Sequence, residues 1–380
     1  MDEKILERFY NRYDRYNTKV LKTLGETAKK FNNVDYMEAV IIAQGLEPTI
    51  IVDLLVELEA INALTMKDIN EYLDIKTEGR LNYHKEHYEY RNTIPNNYAF
   101  KEITDRNKLN IINKLPKTTS IGFVMEDDFG NKIYRSIGDT YKSLIDKAVK
   151  SVALGKESYQ SAMRDTIKQL ADSGVKIHEE KIGYKNGYNR RIDSSVRQAI
   201  LDGIRDFNQE MFDEIGKQIG ADGVEIDVHF PCAIDHLDVQ GQQYSNNDFD
   251  ALQNDLERPI GTYNCRHNIN PIILDIDKPQ YSKKELSNII KRNNKEYNYE
   301  GKKYTKYEAS QEQRRLETAI RRQKDRQIIS KASGDKTGIA KAQSKISELT
   351  SKYADFSKSM DLPMYKDRLS VPDYKRVSVK

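Results

Sequence analysis

Apolar residues recur at helical spacing from the start of the chain. Leu6, Tyr10, Tyr13, Val20, Leu24 and Ala28 fall on one face, the pattern of an amphipathic helix. Gly45-Leu46-Glu47-Pro48 breaks the run, and Pro48 suits the first turn of a second helix carrying Leu54, Leu55 and Leu58. Thr65-Met66-Lys67-Asp68 reads as another helix start. Residues 1–77 are therefore expected to form a helical bundle. From 78 to 119 the periodicity weakens: Tyr83, Tyr88, Tyr90 and Tyr98 lie among charges around Pro95 and Pro116, which predicts a tyrosine-rich connecting segment. His84 and His87 stand three apart within it, with no third ligand nearby.

Residues 121–125 and 132–135 flank the turn-rich stretch Asp127-Asp128-Phe129-Gly130-Asn131, predicting a hairpin. Helical periodicity follows over 140–153 and 159–173, with Gly155 between them and Gly174 as a stop. Asn186-Gly187 marks a turn, and Asp193 is the expected N-cap of a long helix through Val196, Ile200, Ile204, Phe207 and Met211 that ends at Gly220 and Gly223. Residues 224–230 alternate, with Val224, Ile226, Val228 and Phe230 on one face and Glu225, Asp227 and His229 on the other. Beyond Pro279 the chain turns helical again. Residues 307–331 are laced with charge, Gly334-Asp335 interrupts, and Ile346, Leu349, Tyr353 and Phe356 space a second helix, together predicting an antiparallel helical hairpin. The sum is an α+β fold, predominantly helical: a bundle (1–77), a connector (78–119), a central α+β domain (120–280) with a small sheet, a C-terminal helical region (281–361) and an extended or docking tail (362–380).

At 380 residues the chain exceeds the usual size of one core, consistent with two or three domains. Lys and Arg total 62 against 59 acidic residues, a net charge of +3, which argues against a dedicated polyanion binder. Charged residues make up 32 % and the mean hydropathy is −0.78, polar without the depletion of apolar residues that marks disorder throughout. No stretch approaches the roughly twenty apolar residues of a membrane helix, and the first residues lack a signal-peptide pattern, so the chain reads as soluble and made in the cytosol.

Half of the six histidines and both cysteines crowd between residues 229 and 267. They stand as His229, Cys232 and His236, then Cys265 and His267. Thiolate and imidazole are the preferred donors for zinc, and two short ligand groups separated by a loop make a structural-zinc layout. Five donors stand for four tetrahedral positions, so one is surplus. The alternatives are a metal-free polar core in which the imidazoles bond to Asp227, Asp235 or backbone, and a catalytic metal or Cys/His nucleophile. No nuclease signature, phosphate-binding GxxxxGK[ST] loop or GxSxG elbow appears, so an enzyme is not expected.

Residues 154–159 and 190–209, His229 through His236 to Gln240-Gly241 and Tyr244, and the Gly261 stretch ending in Asn264-Cys265-Arg266-His267 resemble the phage minor capsid protein 2 family. Tyr307, Gln313-Arg314, Arg321 and Lys324 resemble its basic helix. The sequence departs from many relatives at Val239, where they carry Trp, and Cys232 is not an obvious part of the pattern. The resemblance implies His229, His236, Cys265 and His267 as ligands of a structural Zn2+, with Cys232 the alternative and Gln240, Gly241, Asn264 and Arg266 as motif residues. It implies a low-copy virion head protein, portal-proximal or internal, assembled in the host cytoplasm against portal, major capsid or scaffold protein. The competing expectation is a nuclease-like metal enzyme or a protein ejected with packaged DNA. Arg314, Arg315, Arg321 and Arg322 are its nucleic-acid candidates, in a run interrupted by Glu312, Glu317 and Asp325.

Overall fold

The computed structural model describes residues 3–46, 49–85, 89, 95–127, 129–154, 156–179, 188–262, 265 and 267–378. Helix α1 (Glu3–Lys29) is the centre of the molecule. Its Phe9, Tyr13, Tyr16, Val20, Leu21 and Leu24 are almost fully buried, each such apolar side chain contributing about 1.5–3 kcal/mol. Helix α2 (Tyr36–Gly45) opens with a capping box between Asp35 and Glu38. Helix α3 spans Thr49–Tyr83 without a break. No new helix starts at Thr65, whose hydroxyl instead donates to the Ile61 carbonyl within the same helix. The expected first-turn Pro48 lies outside the described residues. Much of the expected connector is helix α4 (Asn97–Asn113), capped by Asn96 and buried through Phe100, Ile103 and Ile111. Packing decides that segment where the local pattern is weak.

Strands β1 (Ile121–Glu126) and β2 (Lys132–Ser136) form the expected hairpin, pairing Phe123 with Arg135. Helices α5 (Ile137–Ala153) and α6 (Lys156–Ser173) follow. Strands β3 (Lys176–Glu179) and β4 (Tyr188–Arg191) complete an antiparallel sheet of order β2-β1-β3-β4. Gly155, Asn186 and Gly187 lie outside the described residues. Helix α7 (Ile192–Ile219) ends, as expected, at Gly220 in the left-handed region (φ 71°). Its N-cap is Arg191, not Asp193. Asp193 sits inside the first turn, drawn into a buried ion network.

Three further strands make a separate sheet: β5 (Gly223–Ile226), β6 (Gln243–Ser245) and β7 (Ile269–Ile272), in the order β6-β5-β7. Helix α8 (Asn246–Asp255) packs on it and α9 (Lys283–Asn293) follows. A ribbon of β8 (Tyr297–Tyr299) and β9 (Lys302–Tyr304) leads to the predicted hairpin of α10 (Lys306–Ser333) and α11 (Lys336–Ser359), broken at Gly334 (φ 79°). The tail docks on that hairpin: the Tyr365 and Val377 amides donate to Tyr353 Oη and Gln343 Oε1.

The cores do not follow the expected boundaries. One cluster runs from Phe9 through α3, α4, the first sheet and α7 to Ile219, and takes in Ile329 of α10. The expected divisions at 77 and 119 cut through this single core. The second sheet has its own small core of Ile226, Phe249, Ile260 and Ile269. A third core joins Leu316, Ile320, Tyr353, Phe356 and Met360 of the hairpin. Where α1 meets α10, a β-carbon on Gly25 would stand 2.7 Å from Ala332 Cβ, so only glycine permits the contact.

The same junction buries an ionic network. Arg191 binds Asp325 at 2.7 Å and Asp193 at 3.2 Å, while Arg321 binds Asp14 at 2.6 Å and Asp193 at 3.0 Å. Three carboxylates and two guanidinium groups thus tie α1, α7 and α10 together.

Candidate metal centre

Strand β5 is shorter than its alternating pattern suggests, ending at Ile226. Beyond it the Asp227 carboxylate holds the Asn268 amide (2.7 Å) and side-chain nitrogen (2.6 Å), which fastens 227–229 beside 267–268. The metal-free alternative has the imidazoles on Asp227, Asp235 or backbone: Asp227 does this backbone work instead, whereas His236 Nε2 meets the Arg258 carbonyl oxygen at 2.6 Å and stands 3.7 Å from Asp235. A cis Phe230-Pro231 bond follows. Buried Asn293 of α9 then grips Cys232, accepting from its amide (2.9 Å) and donating to its carbonyl (3.0 Å). A 3-10 turn at Ile234–His236 delivers His236 inward. The loop carrying Cys265 is fixed from outside, because Arg258 forks onto both Asp235 oxygens at 2.7 and 2.6 Å.

The motif pair Gln240-Gly241 has a structural reason. Gln240 Oε1 accepts from the His229 amide (3.1 Å) and lies 3.0 Å from His267 Nε2. Gly241 is in the left-handed region (φ 74°), and a β-carbon there would meet Leu286 at 2.4 Å and Val228 at 2.8 Å. Its amide closes on the Ile226 carbonyl at 2.7 Å. Glycine is required both for the turn and for the close approach.

The donors fall into two groups that share His267: His236, Cys265 and His267 in one, His229, Cys232 and His267 in the other. The four ligands implied by the resemblance are split between them, since His229 lies with Cys232 and stacks on His267 at 4.3 Å between ring centres. His236 Nε2 is 2.6 Å from the Arg258 carbonyl oxygen. A carbonyl only accepts, so Nε2 carries the proton and Nδ1 is turned to Cys265 Sγ, 3.6 Å away. The Gln240 oxygen fixes His267 likewise, leaving its Nδ1 3.1 Å from Cys265 Sγ. Metal-bound histidines characteristically donate their other nitrogen to an oxygen in this way. Zinc bonds of about 2.3 Å to sulfur and about 2.0 Å to nitrogen set tetrahedral ligand edges near 3.6 Å. The Cys265–His236 separation fits that edge, and Cys265–His267 is somewhat tighter.

Electrostatics separates the two thiols. Burial opposes ionisation of Cys265, but contacts with backbone amides and with His236, whose Nδ1 donates only when the ring is the imidazolium, outweigh it and hold its pKa below the usual thiol value. Burial also works against a charged His236, yet its bonds to Cys265 and the Arg258 carbonyl raise its pKa. Burial and the neighbouring histidines push His267 down to about 3, keeping it neutral as a ligand must be. Burial, with Cys265 and Asp235 nearby, pushes Cys232 up to about 12. Its thiol points to the Ala233 carbonyl at 3.2 Å, although Sγ also stands 3.7 Å from His267 Nε2. Cys265 therefore ionises more readily than an ordinary cysteine, and Cys232 less readily. His236, Cys265 and His267 fit three positions of a tetrahedral zinc ion, one fewer than the closed ligand set of a structural site.

Asn264 and Arg266 lie outside the described residues, as does His87; His84 packs edge-on against Phe212. Of the four arginines singled out on α10, Arg321 is removed from any outward face by its pairing with Asp14 and Asp193. Arg315 and Arg322 are exposed and Arg314 is half-buried. Arg258, Asn268 and Asn293 escaped the sequence reading, because their partners stand 23 to 61 positions away.

The sequence profile of the family described as Phage minor capsid protein 2 matches residues 55–358. The chain belongs to that family and is a structural protein of the bacteriophage head. No curated protein and no solved structure matches it.

Proposed function

We propose that the protein is a low-copy, non-enzymatic head component, portal-proximal or internal, incorporated during head assembly in the host cytoplasm, with its second sheet stapled by zinc. The observation that carries the staple is the pair of far-side imidazole nitrogens anchored on oxygens, which turns Nδ1 of His236 and of His267 to one sulfur, that of Cys265. Bound zinc would supply a cross-link between the 236 turn and the 265–267 segment, where the local core is small: Ile226, Phe249, Ile260 and Ile269 are its buried apolar residues among those described. Gln240 and the Arg258 carbonyl set the tautomers, and Asp235 holds Arg258 in place.

Contact with portal, major capsid or scaffold protein is supported by a second feature, an apolar groove. A groove of about 880 Å³ between α2 and α5 is lined by Val40, Leu46, Ile51, Tyr141 and Ile145. Beside it Met37 and Ile41 are 65 % and 64 % exposed, the kind of apolar patch that interaction partners cover. Mass spectrometry of purified procapsids and virions, with cross-linking, tests the role. Peptides from both particles cross-linked to portal or to the inner shell are expected. Absence from both particles overturns the proposal, and nuclease activity lost in His236→Ala overturns its non-enzymatic part.

A further inference from the structure

The basic run of α10 changes character once folded. Two of the three acids that interrupt it in sequence, Glu317 and Asp325, are turned inward at 6 % and 0 % exposure. Arg321 goes with them, and Glu308 is used in the capping box at Thr305. The outer face that remains presents Tyr307, Gln311, Arg314, Arg315, Thr318 and Arg322 around a shallow groove of about 470 Å³. These positions recur every three or four residues, so they share one side of the helix. Arg314 and Arg322 are separated by roughly 12 Å along the axis. Among the described residues no carboxylate lines the groove. Glu312 on its flank pairs with Arg315 at 3.2 Å, but that arginine side chain is 79 % exposed, so the pair holds it weakly.

We infer that this face of α10 binds the phosphate backbone of double-stranded DNA. Guanidinium forks with hydroxyl and amide donors are the set that contacts phosphate oxygens. Apart from Ala319 the lining side chains are polar or cationic, so the groove presents a charged strip and not an apolar patch. With a net charge of only +3, attraction to DNA has to be local to such a strip. Three phosphate contacts predict a slope of log affinity against log salt of about −2.7.

Fluorescence anisotropy of the full chain with a labelled duplex of arbitrary sequence, across salt concentrations, tests this. The variant Arg314→Gln/Arg315→Gln/Arg322→Gln is expected to weaken binding at least tenfold, with the salt slope falling towards zero. Lys336→Gln/Lys341→Gln/Lys345→Gln, an equal loss of charge on α11, leaves both unchanged. If the triple variant fails to fold, Arg315→Gln/Arg322→Gln, at two exposed positions, is expected to lower the slope by about 1.8. Equal losses from the α10 and α11 variants overturn the inference, as does the absence of salt-dependent binding. A polyglutamate competitor as effective as DNA identifies a protein-docking face instead, and displacement by inorganic phosphate identifies a single-anion site; either result overturns it.

Discussion

The network joining α1, α7 and α10 and the cluster from His229 to His267 are both buried and both crowded with titratable groups, yet they are built differently. In the first, each guanidinium contacts two carboxylates, and the opposite charges meet one another directly. In the second, three lone-pair donors converge while their outward nitrogens are anchored on oxygens from the surrounding loops. Burial alone does not distinguish a polar core from a ligand set. The direction of the donors does, and the comparison can be broken at several points.

The largest effect is expected from Arg321→Met. It removes the guanidinium that bonds Asp14 and Asp193, and breaking such a buried pair costs up to about 3–5 kcal/mol, with Arg191 and Lys324 left as the cations near Asp14. Urea unfolding should show the midpoint fall while metal content of the folded fraction stays unchanged. Next comes chelation. Removing zinc should loosen the second sheet, so that hydrogen exchange accelerates in 223–272 while α1 and α10 remain protected. Uniform acceleration would contradict two separate devices.

The pH response is smaller and belongs to the first cluster. Burial and the carboxylates of Asp193 and Asp325 raise Asp14 to about 9, against the pull of Arg191 and Lys324. A carboxyl with a folded pKa above its unfolded value of about 3.9 takes up a proton on folding. Its contribution therefore falls as pH rises from about 4 towards 9. Asp14→Asn should flatten the decline in unfolding midpoint between those limits, and an unaltered slope would place the titration elsewhere. Smallest is Cys232→Ala, which removes a buried thiol and a contact to the Ala233 carbonyl. A stability loss of about 1 kcal/mol with metal retained is expected.

Much of the fold was legible where local pattern and tertiary packing agree. The β1–β2 hairpin, α7 through Met211 and the α10–α11 hairpin with its Gly334 stop all follow from periodicity and turn chemistry. Helix α4 was hidden because its apolar residues are sparse and its burial comes from α3 and α7. Asp193 had the credentials of a cap, but Arg191 and Arg321 recruit it, and no periodicity reveals a partner 128 residues away. The crowding of His and Cys was plain in the sequence. Their sorting was not, because spacing says nothing about which imidazole nitrogen an oxygen of Gln240 or Arg258 will claim.

We propose that Cys265, and not Cys232, belongs to a metal centre with His236 and His267. Metal analysis of the full chain, purified without added metal, tests it most directly when the wild type is set beside Cys232→Ser and Cys265→Ser. About one zinc per chain is expected in the wild type and in Cys232→Ser, and none in Cys265→Ser. A wild-type chain free of metal, or loss of zinc in Cys232→Ser with retention in Cys265→Ser, would contradict it.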